Sequence, residues 1–169
     1  MKRDIALFKE AEIFQNLTEE QVGKVLSRCG KVTYGAGEVI MREGELGDRM
    51  YIIREGKVQV IKRLILDMAD DEKDQENRNK IFTTLTTGQV FGEIVLLEEL
   101  RRTATVVAQT NCELYELKKD DFFQLAKEDV QLGFRILLNL GRIVSARLRK
   151  ADEDTVKLTT VLSMILKET

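Results

Sequence analysis

The sequence has no histidine, no proline, no tryptophan and only two cysteines among its 169 residues. Without histidine there is no Ser-His or Cys-His nucleophile pair, and the commonest zinc ligand is missing. Carboxylate or lysine chemistry stays open, but no nucleophile–base pair is visible, so the chain is not read as an enzyme. The lack of proline excludes only proline-set turns. Cys29 and Cys112 stand far apart with no metal-type spacing and read as free buried thiols of a reducing compartment. No apolar run approaches the roughly 20 residues of a membrane span. The N-terminus leads into an acid-containing amphipathic segment, unlike a signal peptide. Neither sign of charge is in excess: 27 basic against 29 acidic residues give a net charge of −2, with no bulk attraction for nucleic acid or membrane. These absences together point to a soluble, cytoplasmic protein without direct nucleic-acid or membrane partners.

What is present suffices for one domain with accessory helices, since 43% of the residues are apolar. Residues 4–15 carry Ile5, Leu7, Phe8, Ala11 and Ile13 as a loose helical stripe. Thr18 and Gln21 have the spacing of a capping box, with Leu17 and Val22 placed as a hydrophobic staple. A helix is therefore predicted from about residue 19 to Arg28, stopping near Gly30. From residue 31 the period falls to two, with glycines at turn-like intervals (Gly35, Gly37, Gly44, Gly47, Gly56). The runs Glu38–Arg42, Met50–Arg54, Lys57–Lys62, Lys80–Leu85, Thr103–Ala108 and Cys112–Leu117 read as short strands of an antiparallel sandwich or barrel. Glu55-Gly56 reads as a hairpin turn in which glycine supplies the positive φ. The acid-rich stretch 67–79 reads as a mobile hairpin tip. Its acids lack the spacing and fixed glycine of an EF-hand, which argues against a calcium site.

Beyond Asp120 the pattern is helical. Asp120 or Asp121 is placed to cap a short helix through Leu125 and Ala126, and Asp129 to open a long one. In the long helix Phe134, Leu137, Gly141, Val144, Leu148, Ala151, Thr155, Leu158, Leu162 and Ile165 keep a strict three-four spacing. That is the a/d pattern of a coiled coil. The expectation is that the first half lies on the barrel and the rest pairs with a second copy in a parallel homodimer, because so long an exposed seam would otherwise be a liability.

Residues 91–106 carry the chemistry. Phe91-Gly92-Glu93-Ile94 is followed by a short apolar turn and then by Arg102-Thr103-Ala104-Thr105 at the start of a strand. A tight turn gathers main-chain N–H groups, one carboxylate and one guanidinium around a small space. The N–H groups and Arg102 suit an anion. Glu93, which only accepts when ionised, suits a hydroxyl donor. A ligand bearing both a phosphate and a sugar hydroxyl fits that trio. Taken singly, Glu93 is equally a solvated carboxylate at a sheet edge and Arg102 a solvated cation. Glu38 and Asp48 read as turn caps, and Arg101 as solvent-facing.

The pattern Gly35-x-Gly37-Glu38-Val39-Ile40, continued by Glu43-Gly44-x-x-Gly47-Asp48-x-Met50-Tyr51-Ile52-Ile53-x-x-Gly56, resembles the first signature of cyclic nucleotide-binding domains. Phe91–Ile94 through Arg102–Thr105 resembles their phosphate-binding cassette. The resemblance spans nearly the whole chain and implies an α+β fold, an antiparallel jelly-roll barrel flanked by N-terminal helices and a long C-terminal helix. It divides the chain into helices at 1–30, barrel at 31–118 and lid or dimerisation helices at 119–169. It further implies cAMP or cGMP as bound effector and no metal. Glu93 would accept the ribose 2′-hydroxyl. Arg102 would pair with the cyclic phosphate, helped by N–H groups of Gly92 to Ile94 and near Thr103. Thr103 follows the cassette arginine, where the resembling kinases carry alanine with cAMP and threonine with cGMP, whereas bacterial regulators carry serine or threonine and use cAMP. A gapless offset from the bacterial activators sets Arg147 and Leu148 near the purine.

The function expected from this resemblance is a stand-alone sensor of cAMP or cGMP that signals to an unknown effector protein by rearranging its C-terminal helices. Only residues 151–169 follow the basic part of the last helix, too few for a helix-turn-helix. The alternatives are an interaction scaffold of the same fold that takes another ligand or a protein partner, and the sensor fragment of a longer transcription regulator.

Overall fold

The computed structural model describes residues 2–63, 79–98 and 101–167. Helix α1 (Lys2–Phe8) leads to a 3-10 turn (Glu12–Phe14) and helix α2 (Glu19–Arg28). The single helical stripe expected over 4–15 is thus two pieces, broken at residues 9–11. Helix α2 starts where its sequence says. Thr18 accepts a hydrogen bond from the Gln21 N–H, and the Gln21 side chain accepts one from the Thr18 N–H.

Eight strands follow: β1 (Gly30–Tyr34), β2 (Val39–Met41), β3 (Arg49–Glu55), β4 (Lys57–Arg63), β5 (Asn79–Thr86), β6 (Val90–Phe91), β7 (Thr105–Ala108) and β8 (Cys112–Lys118). They form two antiparallel four-stranded sheets, ordered β1-β8-β3-β6 and β2-β7-β4-β5. The expected jelly-roll barrel is therefore open: no ladder among the described residues joins the two sheets into one closed surface. Gly56 turns the β3–β4 hairpin with φ +102°, as the sequence requires. The acidic run expected to form a hairpin tip lies, but for Asn79, outside the described residues.

Alternation along the strands builds two cores. Between the sheets lie Ile40, Tyr51, Ile53, Val58, Phe91, Val106 and Leu114. On the outer face of the first sheet, Met50, Ile52, Tyr115 and Leu117 pack against Phe8, Phe14, Leu26 and Phe122. Strand β3 is buried on both faces, which explains its unbroken apolar run.

Helix α3 (Lys119–Glu128) begins directly at the end of β8, with Lys118 at the N-cap position and no side-chain cap. The predicted Asp120 or Asp121 cap is not used; the Lys119 N–H donates instead to the Asp48 carbonyl. Asp129 does open α4 (Val130–Lys167), its carboxylate accepting from the Leu132 N–H at 3.0 Å. The first half of α4 packs on α3 and the 3-10 turn through Leu132, Ile136, Leu140 and Ile143. Buried Asn139 donates to the Ile13 and Gln15 carbonyls at 3.0 and 2.8 Å. This packing stripe is offset from the a/d seam, so Phe134 and Leu148 of the seam stay exposed rather than lying on the sheets. No helix among the described residues is long and apolar enough to cross a membrane.

Candidate functional site

Strand β6 ends at Phe91, whose ring stacks on Tyr51 of β3 with centroids 5.0 Å apart. This pair fixes where the chain leaves the sheet. Gly92 then takes a left-handed conformation (φ 68°), and Glu93–Leu96 form a single 3-10 turn. A side chain at Gly92 would be strained in φ and would also meet the Arg102 guanidinium at 2.6 Å. The first N–H groups of such a turn have no acceptors within it.

Arg102 comes back to the same place from the start of the β7 segment. Its guanidinium is half-buried and donates to the Gly92 carbonyl at 3.2 Å and the Arg49 carbonyl at 2.8 Å. No carboxylate among the described residues forms an ion pair with it. Burial pushes its pKa below the usual arginine value. A guanidinium held in place by neutral carbonyls, partly stripped of water, is a preformed anion site. Its main chain is pinned as well, since the Arg102 N–H donates to the Glu45 carbonyl and the Arg102 carbonyl accepts from the Gly44 N–H, both at 2.8 Å.

Glu93 follows the glycine whose carbonyl Arg102 holds, so the carboxylate and the cation are brought together as the sequence predicts. Glu93 is only 4% exposed, which removes the reading of a solvated sheet-edge carboxylate. Its partner comes from α4: Arg147 donates to a Glu93 carboxylate oxygen at 2.6 Å and to the Val90 carbonyl at 2.6 Å. Arg147 therefore sits on the predicted hydroxyl acceptor. Leu148, the next residue, is 61% exposed and does not join the site. Phe91 and Ala104 are buried, Gly92 and Ile94 are half-buried, and Thr103 is exposed beside Arg102.

Two neighbours matter that the residue-by-residue reading passed over. A Cβ on Gly47 would lie 2.5 Å from both the Nε and the guanidinium carbon of Arg102, so Gly47 is the gap the arginine fills. Its signal was the Gly44-x-x-Gly47 spacing, read only as turn-forming. Tyr51 is the other, bracing Phe91; burial pushes its hydroxyl up to about 12, so it stays a neutral phenol. Glu38 caps its turn as expected, accepting from the Gly35 N–H at 2.6 Å, whereas Asp48 pairs with Arg49. Arg101 is exposed and donates to the Gly44 carbonyl. Among the described residues there is no cluster of metal-ligating side chains.

Residues 31–129 match the family model for the cyclic nucleotide-binding domain. A cAMP-dependent protein kinase regulatory subunit of Schizosaccharomyces pombe is 31% identical over 127 residues, 75% of this chain and 27% of that protein. A cGMP-dependent protein kinase of Eimeria tenella is 35% identical over 124 residues, 73% of this chain and 11% of that protein. The chain thus spans about a quarter or less of the length of these kinase relatives. Among solved structures, the catabolite activator protein of Thermus thermophilus superposes with a TM-score of 0.72 at 30% identity, covering 88% of this chain and 63% of that one.

Proposed function

The chain belongs to the cyclic nucleotide-binding domain family, and we propose that it is a cyclic nucleotide sensor whose long C-terminal helix α4 carries the signal. The observation that carries this reading is Arg102, a half-buried cation on two main-chain carbonyls with no carboxylate partner among the described residues. The cyclic phosphate would take its remaining N–H donors, together with the N–H groups of the turn from Gly92 to Ile94 and near Thr103. The ribose 2′-hydroxyl would donate to Glu93. Each charge-assisted bond of this kind contributes about 1.5–3 kcal/mol.

Signalling follows from the occupant already on Glu93. Arg147 belongs to α4, and its bonds to Glu93 and Val90 join that helix to the cassette. A hydroxyl arriving at the same carboxylate must share it with Arg147 or displace it. Nucleotide therefore has different affinities for the two placements of α4, which is what a switch requires. Signal leaves along α4 toward an effector, and the lid role assigned to residues 119–169 rests on this contact. Paired copies of α4 along the Phe134–Ile165 seam would carry the change between subunits.

Relatives named for cAMP and for cGMP leave the base open, and Thr103 is compatible with either. Thermal denaturation with each nucleotide tests the reading. At 100 times its Kd a ligand stabilises by about 2.7 kcal/mol, so a clear rise in Tm is expected with at least one of them. No rise with either, on protein freed of bound nucleotide, would overturn it.

A further inference from the structure

Charge is unevenly spread along this chain. Residues 130–151, the first part of α4, hold five cations (Arg135, Arg142, Arg147, Arg149 and Lys150) and no acid. The rest of the chain keeps 22 of the 27 basic residues and all 29 acidic ones. Asp152, Glu153 and Asp154 follow at once in the next turn. Arg147 is taken up by Glu93. The other four cations are exposed and form no ion pair among the described residues.

Their spacing gives the charge a shape. Arg135, Arg142 and Arg149 recur every seven residues, so they line one edge of the helix about 10.5 Å apart. Leu138 and Ser145 lie between them, a three-four stripe that runs beside the Phe134–Ile165 seam rather than on it. Arg142 and Arg149 are steadied only within α4, donating to the Asn139 Oδ1 at 3.4 Å and the Ser145 Oγ at 3.1 Å. Midway, Gly141 opens a notch bordered by Leu137, Leu138, Arg142, Ser145 and Arg149. A Cβ added at Gly141 would meet no neighbour within 4 Å.

Arginine rail and apolar notch together select the occupant. A second copy paired along the seam brings the same cations to this stretch and no carboxylate, so the rail stays unmatched. A nucleic acid or an anionic membrane would meet the three acids of the next turn, and its phosphates have nothing to put in an apolar notch. A helix carrying Asp or Glu along one edge, with an apolar side chain between them, matches both features. We propose that the Arg135–Arg149 edge of α4 docks an acidic amphipathic helix of a partner protein. Carboxylates at seven-residue spacing meet the three arginines, and an apolar side chain enters the notch at Gly141. Docking needs no nucleotide, so its failure and that of the sensor reading are separable.

Fluorescence anisotropy of the nucleotide-free chain tests it, with a labelled three-heptad helical peptide as probe. The peptide carries Glu at every seventh position and Leu between, and its control carries Gln for each Glu. Saturable binding is expected, with the control and the triple variant Arg135→Gln, Arg142→Gln, Arg149→Gln each weaker by about tenfold, as three exposed ion pairs imply. Gly141→Leu fills the notch, keeps every charge and is expected to weaken binding as well. Helix content and nucleotide affinity should be unchanged in both variants. No saturable binding overturns the proposal, as does equal binding of the Gln control or wild-type affinity in the triple variant. Duplex DNA or phosphatidylserine vesicles bound more tightly than the peptide, and indifferent to Gly141→Leu, would assign the arginines to a polyanion and overturn it too.

Discussion

Replacing Gly47 by alanine adds one methyl group at a position whose φ lies outside the left-handed region, so the backbone tolerates it. The added Cβ would lie 2.5 Å from the Arg102 guanidinium carbon and Nε and 3.0 Å from its Cδ. The side chain has to retreat by about 1 Å before these contacts become ordinary van der Waals distances. Its bonds to the Gly92 and Arg49 carbonyls, at 3.2 and 2.8 Å, lengthen or break in doing so. A guanidinium displaced that far meets the phosphate with at least one charge-assisted bond lost, about 1.5–3 kcal/mol. At about 1.4 kcal/mol per decade the loss is roughly 10- to 100-fold in Kd. Fold stability should move little, because Arg102 can swing toward solvent. The assay is calorimetric titration of Gly47→Ala beside wild type, with Tm measured on the same samples. Unchanged affinity would refute the argument that Arg102 must sit where Gly47 lets it. A large fall in Tm would show instead that the glycine serves the fold.

Gly56→Ala should do the reverse. At φ +102°, with its Cβ 2.5 Å from the Asn111 carbonyl oxygen, it should lower stability by about 2–4 kcal/mol in urea denaturation. Arg147→Ala leaves the buried Glu93 carboxylate without its α4 partner and should lower nucleotide-free stability by about 1–2 kcal/mol. Asp4 is buried, and burial alone would raise its pKa. Hydrogen bonds from Arg54 at 2.8 Å and Tyr115 at 2.8 Å outweigh that and hold it well below the usual carboxylate range. Because the folded value is depressed, its stabilisation is complete above the unfolded pKa near 4 and is lost as pH falls below it. Asp4→Asn should therefore cost about 3 kcal/mol at pH 7 and flatten the acid limb of a stability–pH profile. Burial pushes the Cys29 thiol up to about 12, with Asp121 and Glu116 adding to it, so iodoacetamide at pH 8 should label it only after denaturant is added.

The parts of this molecule legible in the sequence are those whose causes are local. The capping box at Thr18, the hairpin glycine at 56 and the Asp129 cap each rest on residues within three or four positions. The turn at Gly92 and Glu93 belongs with them, whereas Arg102 is held in place by Gly44, Glu45 and Arg49 from about 50 residues earlier. What escaped has its cause elsewhere in the chain. Strand β6 is two residues long, too short for a period, and exists because Tyr51 and Ile52 pair with Phe91 and Val90. The start of α3 is met by a carbonyl of Asp48, and neither Asp120 nor Asp121 caps it. Helix α4 turns Leu132, Ile136 and Ile143 inward with Leu137 at the margin, and leaves Phe134 of the seam exposed. Arg147 was placed near the ligand by offset alone. Its bond to Glu93 joins residues 54 apart and is a product of how α4 returns across the sheet.

The most direct test of the central claim is calorimetric titration of nucleotide-free protein with cAMP and cGMP, repeated on Arg102→Ala. Saturable binding of at least one nucleotide is expected, weakened at least tenfold by the substitution, with Glu93→Gln weakening it less. Equal affinity in wild type and Arg102→Ala, or no heat with either nucleotide, would contradict it.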